Sequence, residues 1–277
     1  VSVLYWERMA ASPAQQEELP AQERQNYRKL CKCYDEHEYK KGIAIADSIL
    51  VKAPTCADVI AMKGLCTYQN GSTEDAIAII KEALKTNFMA SSLWHALGVI
   101  HKGERDDHQA FACFKRANQF DGNRNTHSVT RDAAAMAIAV RDWGYYCELR
   151  QKLLGLKSSV RYNWVTYAIA QQMLGNAKVA LGIMDTMGMV MEWGDTPIEV
   201  SEVHLYRAQL AIEAGQPKDA IAILTKEKTL DRCAKQQLLA QAYTLSAAKS
   251  AKAQAEAAYL ELFNMGLDQR DVLFNLA

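Results

Sequence analysis

Proline and glycine are scarce: five prolines and fourteen glycines are spread over 277 residues. Both interrupt helices, proline by lacking a donor and glycine through its conformational freedom. Their scarcity leaves long stretches free to be helical. Neither charge is in excess, since Lys plus Arg and Asp plus Glu both number 32. Net charge therefore implies no polyanionic partner, and any nucleic-acid contact must come from a local patch. No apolar run reaches the roughly 20 residues that span a bilayer, so no membrane partner is expected. Val1 to Trp6 is apolar but too short for a signal-peptide core, and no basic segment leads into it. Catalytic motifs are missing as well. There is no Gly-rich phosphate loop after a strand, no Gly-x-Ser-x-Gly and no His-Glu-x2-His. An acetyl-CoA loop of the Arg/Gln-x2-Gly-x-Gly/Ala kind is missing too. The seven cysteines are scattered and the six histidines show no His-x3-His spacing. Cys31 and Cys33 lie two apart with no second pair to complete a zinc site. Reduced, buried thiols are expected, and they point to the cytosol. No metal or cofactor is expected in this chain.

What is present is a repeat. Trp94, Leu97 and Gly98 are followed by Ala110, Phe114 and Ala117, the pattern of one tetratricopeptide hairpin with a period of about 34 residues. Two helices that cross closely need small residues where they touch: Gly98 on one, Ala110 and Ala117 on the other. Leu at Ala110 would overpack the crossing at a cost of roughly 1–3 kcal/mol. One period upstream, Gly64, Ala76, Ile80 and Ala83 take the same places, and before them Leu30, Gly42, Ala46 and Ile49. Downstream follow Tyr167, Ala168, Ala180 and Met184, then Ala208, Ala220 and Leu224. The segment from Asn125 to Leu156 keeps the length but puts Asp132 where Gly98 would be, and reads as a degenerate helical pair. A last unit around Ala240 and Tyr243 needs extra residues before Ala255, Tyr259 and Leu262. Gly71, Gly103, Gly175 and Gly215 are placed to turn the chain within hairpins. Ser72 with Asp75 reads as an N-cap pair, and Pro217 as a first helical residue. The fold class is all-α: a right-handed superhelical α-solenoid of tetratricopeptide-like repeats. Residues 1–18 read as an N-terminal extension and 19–277 as one continuous stack. The chain ends without a polar capping helix, so it is expected to be the front part of a longer protein.

Two surfaces stand out. Arg24, Arg28 and Lys32 fall on one face of the first helix, Lys29 flanks them, and Lys40 and Lys41 open the next helix. They form a candidate phosphate-binding edge for RNA, diluted by Asp35, Glu36 and Glu38. The second surface is the inner side of the solenoid, where Tyr27, Tyr34, Asp58, Tyr68, His95 and Tyr162 are placed. A peptide-carboxylate clamp would need Lys, Asn and Arg there. The tyrosines suit another protein's helix instead, or simply pack between repeats. The segment Gly188 to Pro197 reads as an acidic external loop anchored by Trp193.

With the repeats in register, the chain resembles the N-terminal part of the large auxiliary subunit of the N-terminal acetyltransferase A (NatA) complex. The likeness rests on Leu19-Pro20, Tyr27 to Tyr34, Tyr39 to Gly42, Ala61 to Leu65, and Trp94-His95 with Gly98. It continues through Arg141-Asp142, Tyr145/Tyr146, Glu148, Arg150 and Leu153-Leu154, then Trp164 to Ala170, Ser201-Glu202, Leu205-Tyr206 and Glu213 to Gly215. Trp164 to Ala170 and Arg141-Asp142 lie where the plain repeat pattern is weak. The resemblance implies a cytoplasmic, non-catalytic scaffold that wraps a small GNAT-fold catalytic subunit and docks it at the ribosomal exit tunnel. Acetyl-CoA would then belong to the partner. It also implies that most of the grip on that partner lies beyond Ala277, and that the front part contacts ribosomal RNA. Residues before Leu19 and the loop from Gly188 to Pro197 have no counterpart in that pattern. The other reading of the residues is a generic repeat adaptor holding an unrelated protein or peptide in its inner groove.

Overall fold

The computed structural model describes residues 20–121, 127–227, 230–248 and 250–266. The expected N-terminal extension and the final Phe274 to Ala277 lie outside them. Among the described residues there are fourteen helices and no strand. They pair as hairpins: α1 (Ala21–Asp35) with α2 (Tyr39–Leu50), α3 (Ala57–Gln69) with α4 (Thr73–Thr86), and α5 (Ser91–Gly103) with α6 (Asp107–Phe120). Next come α7 (His127–Ala139) with α8 (Trp143–Leu156), and α9 (Arg161–Met173) with α10 (Ala177–Val190). The last pairs are α11 (Pro197–Glu213) with α12 (Pro217–Lys226) and α13 (Arg232–Leu245) with α14 (Ala251–Asn264). The backbone groups into two compact units that divide between Leu156 and Lys157.

Six of the hairpins turn in one way. The residue two past each first-helix cap donates its N–H to the carbonyl five residues earlier: Glu38 to Cys33 (2.8 Å), Ser72 to Thr67 (3.2 Å), Asp106 to His101 (3.0 Å), Asp142 to Ala137 (2.9 Å), Asn176 to Gln171 (2.9 Å) and Gln216 to Ala211 (2.8 Å). These are Schellman closures, which need a left-handed residue just before the donor. That residue is Gly at 71, 175 and 215, but His37, Arg105 and Arg141 at the other three turns, each with φ near +60° (62°, 60° and 60°). Gly103 is therefore not the turn residue it resembles in sequence. It is the last residue of α5, and a Cβ there would lie 2.1 Å from the hydroxyl of Tyr68. Ser72 sits at the N-cap of α4 without a side-chain capping bond. Asp106, Thr196 and Asp231 do cap, each accepting from the backbone N–H three residues on. Pro217 opens α12.

In the first unit the crossings are made where the small residues fall. A Cβ on Gly64 would lie 2.7 Å from Ile80, and one on Gly98 would lie 3.1 Å from the Phe114 ring. Ala76, Ala110 and Ala117 are fully buried, and Ala83 packs on the same core. Trp94 fixes the entry to its hairpin, its Nε1 donating to the Phe88 carbonyl at 2.7 Å. The fourth pair forms without the small residue, since Asp132 turns to His95 on α5, 3.0 Å from its Nε2. In the second unit Trp164 repeats the tryptophan bond, with Nε1 donating to Ser158 at 2.7 Å. Ala168, Ala180, Met184, Ala208, Ala220 and Leu224 are buried there.

Candidate interaction surfaces

Helix α1 has one buried face, carrying Tyr27, Leu30, Cys31 and Cys33. Arg24, Arg28, Lys29 and Lys32 stand on the exposed remainder, and Lys40 and Lys41 are exposed in the first turn of α2. Placing cations at a helix N-terminus opposes its dipole. Glu38 compensates, accepting from Lys41 at 2.8 Å. That bond holds the Glu38 carboxyl below its usual range. Glu36 takes Lys32 at 3.5 Å. The acidic residues thus neutralise two of the six cations, while Arg24, Arg28, Lys29 and Lys40 project into solvent. Glu23 lies on the other side of the edge, 2 % exposed, between Lys52 (2.5 Å) and Asn26 (3.1 Å). The Lys52 hydrogen bond lowers its pKa.

The tyrosines do not form a common groove. Tyr27 is 3 % exposed and belongs to the core, where burial pushes its phenol well up. Tyr34 is half-buried edge-on to Tyr39, and burial raises its pKa to about 12. Tyr68 fills the space beside Gly103. His95 and Asp58 are buried. Of the four tyrosines proposed from sequence, only Tyr162 is largely exposed, at 60 %. The physical reason is spacing: first-helix aromatics that sit one repeat apart reach the neighbouring hairpin and pack on it.

The segment between α10 and α11 is held, not free. Trp193 lies against Gly188, tilts on His204 at 4.9 Å and receives the Arg207 guanidinium at 4.2 Å. Arg207 also pairs with Asp185. Arg161 reaches back with a two-pronged grip on Asp195 (3.1 and 3.0 Å) and a bond to the Glu192 carbonyl at 3.2 Å. The Arg161 hydrogen bonds hold Asp195 below the ordinary carboxylate range. Asp195, half of the acidic character read from sequence, is thus used internally.

Two grooves escaped the sequence reading. One of about 550 Å³ lies between α11 and α13, lined by Glu202, Tyr206, Gln209, Glu213, Asp231 and Gln237. The other, about 650 Å³, lies between α4 and α6 with α5 as its floor. Lys81 and Lys85, four apart on α4, and the apolar pair Phe88-Met89 were its legible signals. No cysteine is in a disulfide, and Cys233, unlike most of the others, is exposed. Burial pushes the Cys66 thiol up to about 12 and Cys113 to about 11, so neither offers a thiolate. Among the described residues no group of three or more His, Cys, Asp or Glu is placed to hold a metal, and no helix is long and apolar enough to cross a membrane.

A family model described as the N-terminal TPR repeats region of Psidin matches residues 23–262. The chain is 29 % identical over 214 residues to the N-terminal acetyltransferase A complex auxiliary subunit NAA15 of Arabidopsis thaliana, covering 76 % of this chain and 24 % of that protein. It is 28 % identical over 218 residues to the NatA auxiliary subunit N-alpha-acetyltransferase 16 of Mus musculus, covering 77 % and 25 %. A solved structure of Naa15/Naa10 bound to HypK-THB matches with a TM-score of 0.80 and 28 % identity, over 92 % of this chain and 38 % of that one. The chain spans about a quarter of the length of these curated relatives.

Proposed function

Because the chain belongs to the family of Psidin-type N-terminal TPR repeat regions, we propose that it is the front part of a non-catalytic scaffold in a NatA-type N-terminal acetyltransferase. The observation that carries the reading is the match to the Naa15/Naa10 structure over 92 % of this chain at 28 % identity, well beyond what shared repeats alone require. On this reading a small GNAT-fold subunit supplies the chemistry and binds acetyl-CoA, and this chain supplies position. Stacked hairpins suit that task, since within each compact unit a hairpin is fixed by its neighbours.

The scaffold works in the cytoplasm and brings the catalytic subunit to the ribosome. Arg24, Arg28, Lys29 and Lys40 are the cations of the basic edge that face solvent, and they would contact rRNA phosphates near the exit tunnel. Lys32 and Lys41, engaged by Glu36 and Glu38, contribute less. The reading of an inner tyrosine groove for an unrelated peptide finds little support, because Tyr27, Tyr34 and Tyr68 are spent on packing.

The test is recovery of partners by a tagged, longest available form from the source cell. A small acetyltransferase should co-purify together with ribosomal proteins. Recovery without any acetyltransferase would overturn the scaffold reading. Ribosome co-sedimentation then isolates the edge. Arg28→Glu with Lys29→Glu should weaken sedimentation and flatten its salt dependence, because each lost phosphate contact removes counterion release. Acetyltransferase recovery should not change. Unaltered co-sedimentation would remove the edge from the ribosome contact.

A further inference from the structure

The groove between α4 and α6 has the chemistry of a docking site, and nothing in the scaffold reading uses it. Its inner lining is apolar: Leu84 on α4, Leu97 on α5 and Cys113 on α6 are 7, 3 and 4 % exposed. Its volume, about 650 Å³, falls in the range of about 300–1,000 Å³ typical of ligand sites. Where α4 ends, Phe88 and Met89 leave 54 and 70 % of their surfaces in water, which extends the apolar lining of the groove into an exposed apolar edge.

The rim is cationic. Lys81, Lys85 and Arg116 line it and are exposed. Lys85 shares Glu82 at 2.6 Å, a surface pair of little energy. The one carboxylate in the lining, Asp106, is committed to capping α6 through the Gln109 N–H at 3.1 Å. His101 adds no charge near neutrality, because burial pushes its pKa down. This charge is not a property of the repeat. One period upstream the places of Lys81, Lys85 and Arg116 are held by Asp47, Val51 and Glu82.

We propose that this groove binds an acidic segment of a partner polypeptide, with a large apolar side chain of that segment inserted between α4 and α6. Carboxylates of the segment meet Lys81, Lys85 and Arg116, while the apolar anchor covers Leu84, Leu97, Ala112 and Phe88. A peptide fits better than a nucleic acid. The Trp94 ring is already covered by the Arg116 guanidinium at 4.5 Å, and Phe88 is locked edge-on between Trp94 (5.3 Å) and Phe120 (5.5 Å). That leaves the half-exposed Phe88 ring alone, short of the series of aromatic platforms on which successive bases stack. The proposal is independent of the acetyltransferase reading and of the basic edge on α1.

The test uses the full chain and fluorescence anisotropy. The probes are an array of labelled peptides in which Glu and Asp flank one Leu, Ile, Phe or Trp, the same peptides with Ser at that place, and oligouridine. Peptides with the apolar residue should bind and their Ser counterparts should bind at least about tenfold more weakly. Lys81→Glu with Arg116→Glu should weaken binding about tenfold or more. Ala112→Trp, which plugs the groove without changing charge, should do the same while circular dichroism shows the helices intact. Lys218→Glu with Lys252→Glu, exposed lysines of the second unit, should leave binding unchanged. The proposal fails if no acidic peptide binds, if Ser peptides bind equally, if either groove variant binds like the parent, or if oligouridine binds in preference to the peptides.

Discussion

A methyl group on Gly64 would sit 2.7 Å from both Cγ1 and Cδ1 of Ile80, itself fully buried. Alanine is the better helix former by about 1 kcal/mol, so the sign of Gly64→Ala is set by whether the packing cost exceeds that gain. Overpacking of a tight crossing costs roughly 1–3 kcal/mol, and net destabilisation is expected in urea unfolding. Ile80→Ala removes both of the opposing carbons. The double variant should then be more stable than the sum of the two singles, as coupled contacts are. Additivity would show that the crossing is not the source. At the same scale Gly103 shows how identical residues take different duties. Composition marks it as a turn, yet the turn belongs to Arg105 and the space beside Gly103 belongs to Tyr68.

At the scale of elements, the link from α10 to α11 depends on a helix that precedes both. Arg161, the first residue of α9, holds Asp195 and the Glu192 carbonyl. Asp195 has a folded pKa below its ordinary 3.8. A depressed carboxylate contributes stability that is present above its unfolded pKa and is lost as pH falls through the folded value. Arg161→Met should therefore lower the melting temperature at neutral pH. The difference from the parent should shrink as the pH is taken below about 4. A gap that stays constant through the acid range would assign the effect to packing of the side-chain stem. The loop was legible in sequence only as an interruption with an aromatic anchor. Its tether was not, because a contact between residues 34 positions apart leaves no local pattern.

For the molecule as a whole, each compact unit carries its own buried clusters. In the first, one core runs from Tyr27 to Val129. In the second, the clusters around Met184, Leu224 and Leu262 draw only on residues after Lys157. Repeat arrays are stabilised by nearest neighbours and need no global core. Residues 20–156 expressed alone should thus be helical by circular dichroism and unfold cooperatively in urea, with a smaller m-value than the full chain. A gradual, featureless loss of helix would show that the first unit cannot stand by itself.

The helical class, the frame of the hairpins and the small residues at their crossings all follow from the order of residues along the chain. These are local matters: helices follow from few breakers, and a close crossing admits only Gly or Ala, so Gly64, Gly98 and Ala110 announce themselves. The basic edge could be read too, since α1 and α2 are neighbours in the chain. Which candidate surface residues stay on the surface depends instead on how the hairpins pack. Tyr27 and Tyr34 share a helix side with true surface positions, yet the next hairpin covers the first and half covers the second. The α4–α6 groove is likewise made by residues from Lys81 to Arg116 on three helices. Its apolar lining and cationic rim come together only when those helices pack, and burial by a neighbour depends on that packing, which no single stretch of sequence encodes.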